Sequence, residues 1–354
     1  VAEELDGVEV VLVVDETGDA KSSTDCVGAG QQYSGALGGV GLCQVAVYLA
    51  AVTATTRVPL DRALYLPADW AADEERRMLA GVPDEVVFAT KPQQAAAMVT
   101  AALTAGIQAC WFAADEVYGG RELRWNIRAL NLGYTVGVAA THPVTDGAGH
   151  RWEARKLLNR YGPSSGCAAG PDTAPRAPAS TTGPGSTSAP TTPPTTRNRA
   201  GRACWSPAAT ATPARSPTSA ASPPDNVTLA TLIEIICYRW KIEETSQLAK
   251  GHTGLDQGQV TCWNSWMRWS LFSLIATIVL TLTLARADEW TGPTRPLLLI
   301  PLTCPELVRL LRVLVLPTPV RERTHALHWI AWRRHHQAVA TTCHQQRHRL
   351  QDTP

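Results

Sequence analysis

"VEVVLVVDETG", residues 8 to 18, decides the fold. From Val8 to Val14 the chain is almost wholly apolar and β-branched, the pattern of a strand in the centre of a sheet covered on both faces. The run breaks at Asp15 before a Thr-Gly pair that reads as a turn, so Asp15 is expected at the carboxyl end of a strand. Outward from it, "LCQVAVYLAAV" (42–52) and "RVPLDRALYLP" (57–67) read as the next strands, the second stopped by Pro67. Short connections between them predict an antiparallel meander. "GALGGVG" after Tyr33 has no phosphate-loop spacing and reads as a hairpin turn. Helices follow over about 71–80 and 92–105, the latter with Pro92 in its first turn and Gly106 at its end. A strand from Cys110 ends at Asp115, a helix covers about 121–132, and another strand starts at Tyr134. Three hairpin-linked strands followed by alternating helices and strands predict an α/β fold, a mixed sheet flanked by helices.

Composition narrows the function classes. The net charge of +1 hides an asymmetry, an acidic first third and a basic end. This distribution suits a phosphate-rich ligand handled through metal ions. Nine scattered cysteines without a CxxC pair argue against a zinc ribbon and a disulfide framework, so reduced thiols in the cytoplasm are expected. The start, "VAEELDGVEV", has acids where an export signal needs cations. The apolar run from Leu271, "LFSLIATIVLTLTLA", carries four hydroxyls and falls short of the 18 or more residues expected of a span; a buried helix and no membrane partner are expected.

From Gly162 to Pro224 the chain has no Leu, Ile, Val, Met, Phe or Tyr and holds about half of the 25 prolines. Such a segment has almost nothing to bury against its ordering entropy and is expected to be disordered. Two origins are open on composition: a flexible linker, or a shifted reading frame in a GC-rich gene. The abrupt return of ordinary protein at "NVTLATLIEIICYRWKIEE" favours the second. From Thr228 to Leu248 apolar residues recur at helical spacing, with Thr228 as start and Gly251 as stop, and this helix carries "RWKIEETSQLAKG" (239–251).

Asp15, Asp115 and Glu243 thus come from two strand ends and a helix face. Taken singly, each has a plain reading: the aspartates as strand terminators, Glu243 and Glu244 as solvated acids paired with Arg239 and Lys250. Together they would repel unless hard divalent ions neutralised them, and two Mg²⁺ (or Mn²⁺) so held would support in-line attack on a phosphodiester. A metal-free acid/base hydrolase would need only Asp15 and Asp115 and leave the Arg/Glu/Lys helix without a task. Near the end, "HHQAVATTCHQQRH" with Arg333 and Arg334 reads as a basic surface able to meet phosphates; zinc is not expected there, because no second ligand pair accompanies these His and Cys residues. Trp263, Trp266 and Trp269 recur every third residue and read as core packing, with base stacking the other reading.

"VVDETG", "VGAGQQYSGALGGVGLCQVAVYLA", "LYLPADWAADEERRMLAGVPDEVVFATKPQQAAAMV" and "ADEVYG" resemble the DDE transposases of bacterial insertion sequences, in the group called insertion-sequence seven-oh-one. Arg-Trp-x-Ile-Glu-Glu with a later Lys-Gly is similar to their third acidic motif. The resemblance covers roughly residues 8–160 and 227–345. It implies an RNase H-like fold and cutting and rejoining of double-stranded DNA at transposon ends and target. It also implies two divalent ions held by Asp15, Asp115 and Glu243, Glu244 as the next candidate, and Arg239 and Lys250 on DNA phosphates. Assembly of paired ends would need a homodimer or larger, and such a protein would work at the nucleoid.

The chain departs from the family pattern in three places. Ile236 stands where relatives often carry Tyr, the first strand comes only a few residues after the start so that the helical region the resemblance places ahead of it is expected to be missing, and the proline-rich tract stands where the resemblance implies folded sequence. The expected organisation is a first catalytic part (1–161), a low-complexity segment (162–226), a second catalytic part with the Glu-bearing helix (227–300) and basic helices (301–354). The expected function is a transposase degraded by frame disruption, or a non-catalytic DNA-binding remnant of one. Resequencing codons 155–230 and translating all three frames is expected to restore alternating apolar strand patterns in another frame; if no frame does so, the tract is a genuine linker.

Overall fold

The computed structural model describes residues 3–145, 149–161, 227–290, 302–316 and 323–351. The low-complexity tract lies outside the described residues. Four strands open the chain, β1 (Val10–Ala20), β2 (Gly30–Ser34), β3 (Gly39–Val52) and β4 (Arg57–Leu64). Next come α1 (Ala68–Ala72), α2 (Glu74–Ala80), α3 (Lys91–Thr104), β5 (Ala109–Ala114), a 3₁₀ turn (Glu116–Tyr118), α4 (Arg121–Ala129) and β6 (Gly133–Val136). A small hairpin, β7 (Pro143–Thr145) and β8 (Arg151–Glu153), leads into α5 (Ala154–Tyr161). The segment after the tract supplies α6 (Leu229–Leu248) and α7 (Trp263–Trp290).

In the main sheet, β3 pairs antiparallel with β1 on one side and with β2 and β4 on the other, while β1, β5 and β6 run parallel. An antiparallel meander joined to parallel strands reached through helices is the mixed sheet of an RNase H-like fold. Two corrections to the sequence reading concern its first part. β1 does not end at Asp15; antiparallel pairing with β3 carries it from Val11 opposite Val52 to Ala20 opposite Cys43, so Asp15 lies within the strand, opposite Tyr48. β2 was not foreseen, because its sequence, GQQYS, is short and mostly polar. Its turn is where expected, closed by Gly38 at φ 70°.

Strand alternation divides the core into two layers. Val10, Leu12 and Val14 face α3 and α4, packing with Val99, Phe112, Leu123 and Ile127. Val11 and Val13 face the other way, onto Ile235, Ile242 and Ala249 of α6 and its extension, with Trp266 and Leu274 of α7. The caps follow sequence rules: Thr90 and Gln93 form a capping box on α3, and the Thr228 hydroxyl accepts from the Thr231 amide at the start of α6. α6 runs past Gly251 in a π-helical turn (Ala249–Thr253) and stops at Gly254, φ 70°.

α7 is longer than the apolar run implied, and among the described helices it is the one long and apolar enough to cross a membrane, over Trp263–Ala287. Only one face is buried, and hydroxyls line it. Ser270, Ser273, Thr277 and Thr281 are buried while Phe272, Ile275 and Val279 are exposed. Thr253 Oγ1 meets Ser273 Oγ at 2.7 Å and Thr277 Oγ1 at 3.1 Å. Of the tryptophan series, Trp266 is buried and Trp269 half-exposed, its Nε1 donating to the Gly254 carbonyl at 3.0 Å.

The chain divides into two compact units, the second starting at Thr303. The second unit contains α8 (Cys304–Leu314), opened by a Thr303/Glu306 capping box, and α9 (Arg323–Gln351), exposed wherever its side chains are described.

β6 also sets a close contact. A Cβ on Gly137 would lie 2.7 Å from the Glu116 amide nitrogen and 3.0 Å from the Asp115 carbonyl carbon, both backbone atoms that cannot rotate away. Gly137→Ala is expected to cost about 1–3 kcal/mol in urea unfolding, as forced overpacking does. Gly251→Ala, which meets nothing within 4 Å, is expected to be neutral or slightly stabilising.

Candidate metal centre

The last register pair of the parallel strands β1 and β5 is Val14 with Ala114. The next residues are Asp15 and Asp115. Because Val13 and Ala113 belong to the layer under α6, alternation places both aspartates on that same side. β1 continues past this point along β3, whereas β5 ends and Asp115 caps the 3₁₀ turn, its Oδ1 accepting from the Val117 amide at 2.9 Å. Asp15 Oδ1 accepts from the Glu16 amide at 2.8 Å.

α6 brings the third acid. Ile235, Ile242 and Ala249 recur every seven residues and fix its rotation, so Glu243 lies beside the contact line with Arg239 one turn before it. Arg239 Nη1 holds Glu243 Oε1 at 2.7 Å. Burial, and then the charges of Asp115, Glu16 and Glu243, push Asp15 up to about 8. Asp115 is also raised, by burial and then by Glu16, against the lowering pull of the Val117 amide and the Arg239 guanidinium. Asp15, Asp115, Glu243 and Arg239 are therefore one electrostatic group.

Glu244 and Lys250 have partners of their own. Glu244 turns to Arg57 at the start of β4, which separates it from its neighbour Glu243. Lys250 is engaged at 2.8 Å with the buried Asp19 and at 3.1 Å with the Gly18 carbonyl. Arg333 and Arg334 are exposed on α9, in the second unit. Sequence reasoning missed Glu16, which binds Lys91 Nζ at 2.9 Å and the Tyr118 hydroxyl at 2.7 Å.

Hard oxygen donors, partial burial and mutual repulsion fit a divalent cation. Among the described residues, however, no three His, Cys, Asp or Glu side chains converge on one point. The Glu243 carboxylate is held by Arg239.

The raised Asp15 has a thermodynamic consequence. Its folded form holds a proton up to about pH 8 while an unfolded aspartate releases it near 3.8, so between these values the folded state binds more protons. Stability of the metal-free protein should therefore fall as pH rises from about 4 to about 8. Asp15→Asn is expected to melt higher than the parent at pH 8 in EDTA, the gap closing toward pH 4; a gap independent of pH would show that Asp15 is not raised.

Two comparisons with known proteins bear on the chain as a whole. Residues 1–181, just over half of the chain, match the family model described as DDE superfamily endonuclease. A stretch of 142 residues is 31% identical to the probable transposase for insertion sequence element IS701 of Microchaete diplosiphon, covering 40% of this chain and 34% of that protein. The chain thus spans about a third of the length of the relative it matches. Proteins of this superfamily generally use divalent metal ions, and transposases act on DNA. With the RNase H-like sheet and the two aspartates that follow the last β1–β5 pair, the match leads to one conclusion: the chain belongs to the DDE superfamily endonucleases.

Proposed function

We propose that the chain is built to cleave and rejoin double-stranded DNA at insertion-sequence ends, with Asp15, Asp115 and Glu243 holding two divalent ions, Mg²⁺ or Mn²⁺. The observation that carries this is the half-buried aspartate pair, held against its own repulsion with Glu243 in electrostatic reach. When bound, the ions would supply the positive charge that activates an attacking oxygen and stabilises the leaving one in an in-line displacement. Asp15 and Asp115 give the site a fixed floor, because one is set within a strand still paired with β3 and the other caps a turn packed on Gly137. Glu243 is the adjustable member. Once it turns to the aspartates, Arg239 is released beside Asp115, placed to receive a DNA phosphate. Lys250, already paired with Asp19, instead fixes the end of α6 to β1.

Arg333 and Arg334 extend the reading to α9. This helix has several arginines and histidines and no acid from Arg323 to Gln351, which suits phosphate contacts along a duplex. Joining two DNA ends would call for two copies of the chain. Work at the nucleoid within the cytoplasm follows from the same substrate. A second reading is a DNA-binding remnant without catalysis, favoured by the low-complexity tract that separates the second aspartate from the glutamate helix.

Incubation with supercoiled plasmid and Mg²⁺ or Mn²⁺ distinguishes them. Nicking that falls more than about a hundredfold in Asp15→Ala, Asp115→Ala and Glu243→Ala, but not in Glu244→Gln, is the expected result, since even outer partners of metal sites matter on that scale. A gel shift without nicking would establish the remnant, and nicking that survives Asp15→Ala would sink the assignment.

A further inference from the structure

We infer that Glu16 and Tyr118 are positioning residues for the acid pair, acting from the reverse face of the sheet to fix the turn that carries Asp115 against the strand that carries Asp15. The inference rests on the proposed metal-binding role of Asp15 and Asp115.

The argument starts from alternation. Asp15 faces α6, so its neighbour Glu16 projects to the opposite layer, where α3 and the 3₁₀ turn lie. There its two oxygens have separate partners: Oε1 takes Lys91 Nζ at 2.9 Å, and Oε2 takes the Tyr118 hydroxyl at 2.7 Å. Tyr118 is fully buried and only three residues beyond Asp115, within the turn that Asp115 caps. One hydrogen bond therefore links the residue after the first aspartate to the turn begun by the second. Lys91, at the first position of α3, ties the same carboxylate to a third element.

The turn has little room to move. The Gly137 amide donates to the Ala114 carbonyl at 3.0 Å, extending the β5–β6 ladder by one residue. A Cβ on Gly119 would stand 2.5 Å from the Gly137 carbonyl oxygen. Backbone contact limits the turn on this side, and the Tyr118–Glu16 bond holds it to β1. Tyr118 lies in the core layer under α3 and α4, on the face of the sheet opposite α6. Glu16 and Tyr118 act on the spacing of Asp15 and Asp115 without occupying the site.

Calorimetric titration of the metal-free full chain with Mn²⁺ tests this at a temperature where each variant is fully folded by circular dichroism. Tyr118→Phe keeps the buried ring and every charge but removes the hydroxyl. It is expected to weaken Mn²⁺ binding about tenfold, the lower end of what outer partners of metal sites contribute. Glu16→Gln should weaken it as well, and adding Tyr118→Phe to Glu16→Gln should cost little more, because both disturb one contact. A merely structural tyrosine would lower the melting temperature and leave Mn²⁺ affinity at the parent value; that result overturns the inference. The failures are separable. Parent binding abolished in Asp15→Ala but unchanged in Tyr118→Phe removes the positioning role alone, whereas a parent chain without Mn²⁺ binding removes the metal-site reading and this inference with it.

Discussion

Like charges held side by side in partial burial are the constraint on which this structure turns. Asp15 and Asp115 follow the last paired residues of two adjacent parallel strands, so the sheet itself keeps them together. Burial first, and then the charges of neighbouring acids, penalise ionisation here, and the penalty is relieved by taking up a proton or by binding a cation. In the absence of metal, the proton prevails at neutral pH for Asp15. A site of this kind is unstable in proportion to its readiness for a cation, because a metal must replace the proton and gains affinity as pH rises toward 8. The surrounding scaffold must absorb that instability. It does so through the continuous pairing of β1 with β3 and through two apolar layers, one on each face.

α6 divides its labour by helical geometry. Residues on one line, Ile235, Ile242 and Ala249, bury against the sheet and fix the rotation. Successive residues turn by about 100°, so Glu243 and Glu244 cannot face one centre. One meets Arg239 beside the aspartates, and the other meets Arg57 on β4. Lys241 reaches the Thr53 carbonyl at 2.6 Å, and Lys250 reaches Asp19. The middle of the helix is thus fastened to the loop after β3 and its C-terminal end to β1, while Arg239 and Glu243 pair with each other.

Much of this was legible in the sequence, for identifiable reasons. The apolar runs of β1, β3 and β5 and the capped starts of α3 and α6 depend on neighbours a few residues away, and local pattern reports them well. The polar stretch after Val14 was misread as a turn, because only cross-strand pairing with Tyr48 through Cys43 makes it a strand. The same blindness to distant partners affected side chains. Lys250 was read with the acids of its own helix, since Asp19 lies at the other end of the chain, and Glu16 drew no reading, since Lys91 and Tyr118 are 75 and 102 residues away. α7 shows a third limit. Its hydroxyls read as interruptions of an apolar helix, yet they form its buried face by bonding to Thr253 and to their own backbone one turn back.

The succession Asp15-Glu16 has a physical logic that neither residue shows alone. A carboxylate that must face a substrate cannot also be gripped on that face without being blocked. Orientation must come from its own backbone or from behind. In a strand the next residue points behind by construction, so an acid there is the nearest side chain able to anchor the local backbone without entering the site. Its anchor must also tie down the opposing aspartate, since fixing one of two repelling groups leaves the other free to swing away. Tyr118 meets that requirement, being rooted in the turn of Asp115 and bonded to Glu16, and the glycine contact at Gly137 leaves that turn little space in which to retreat.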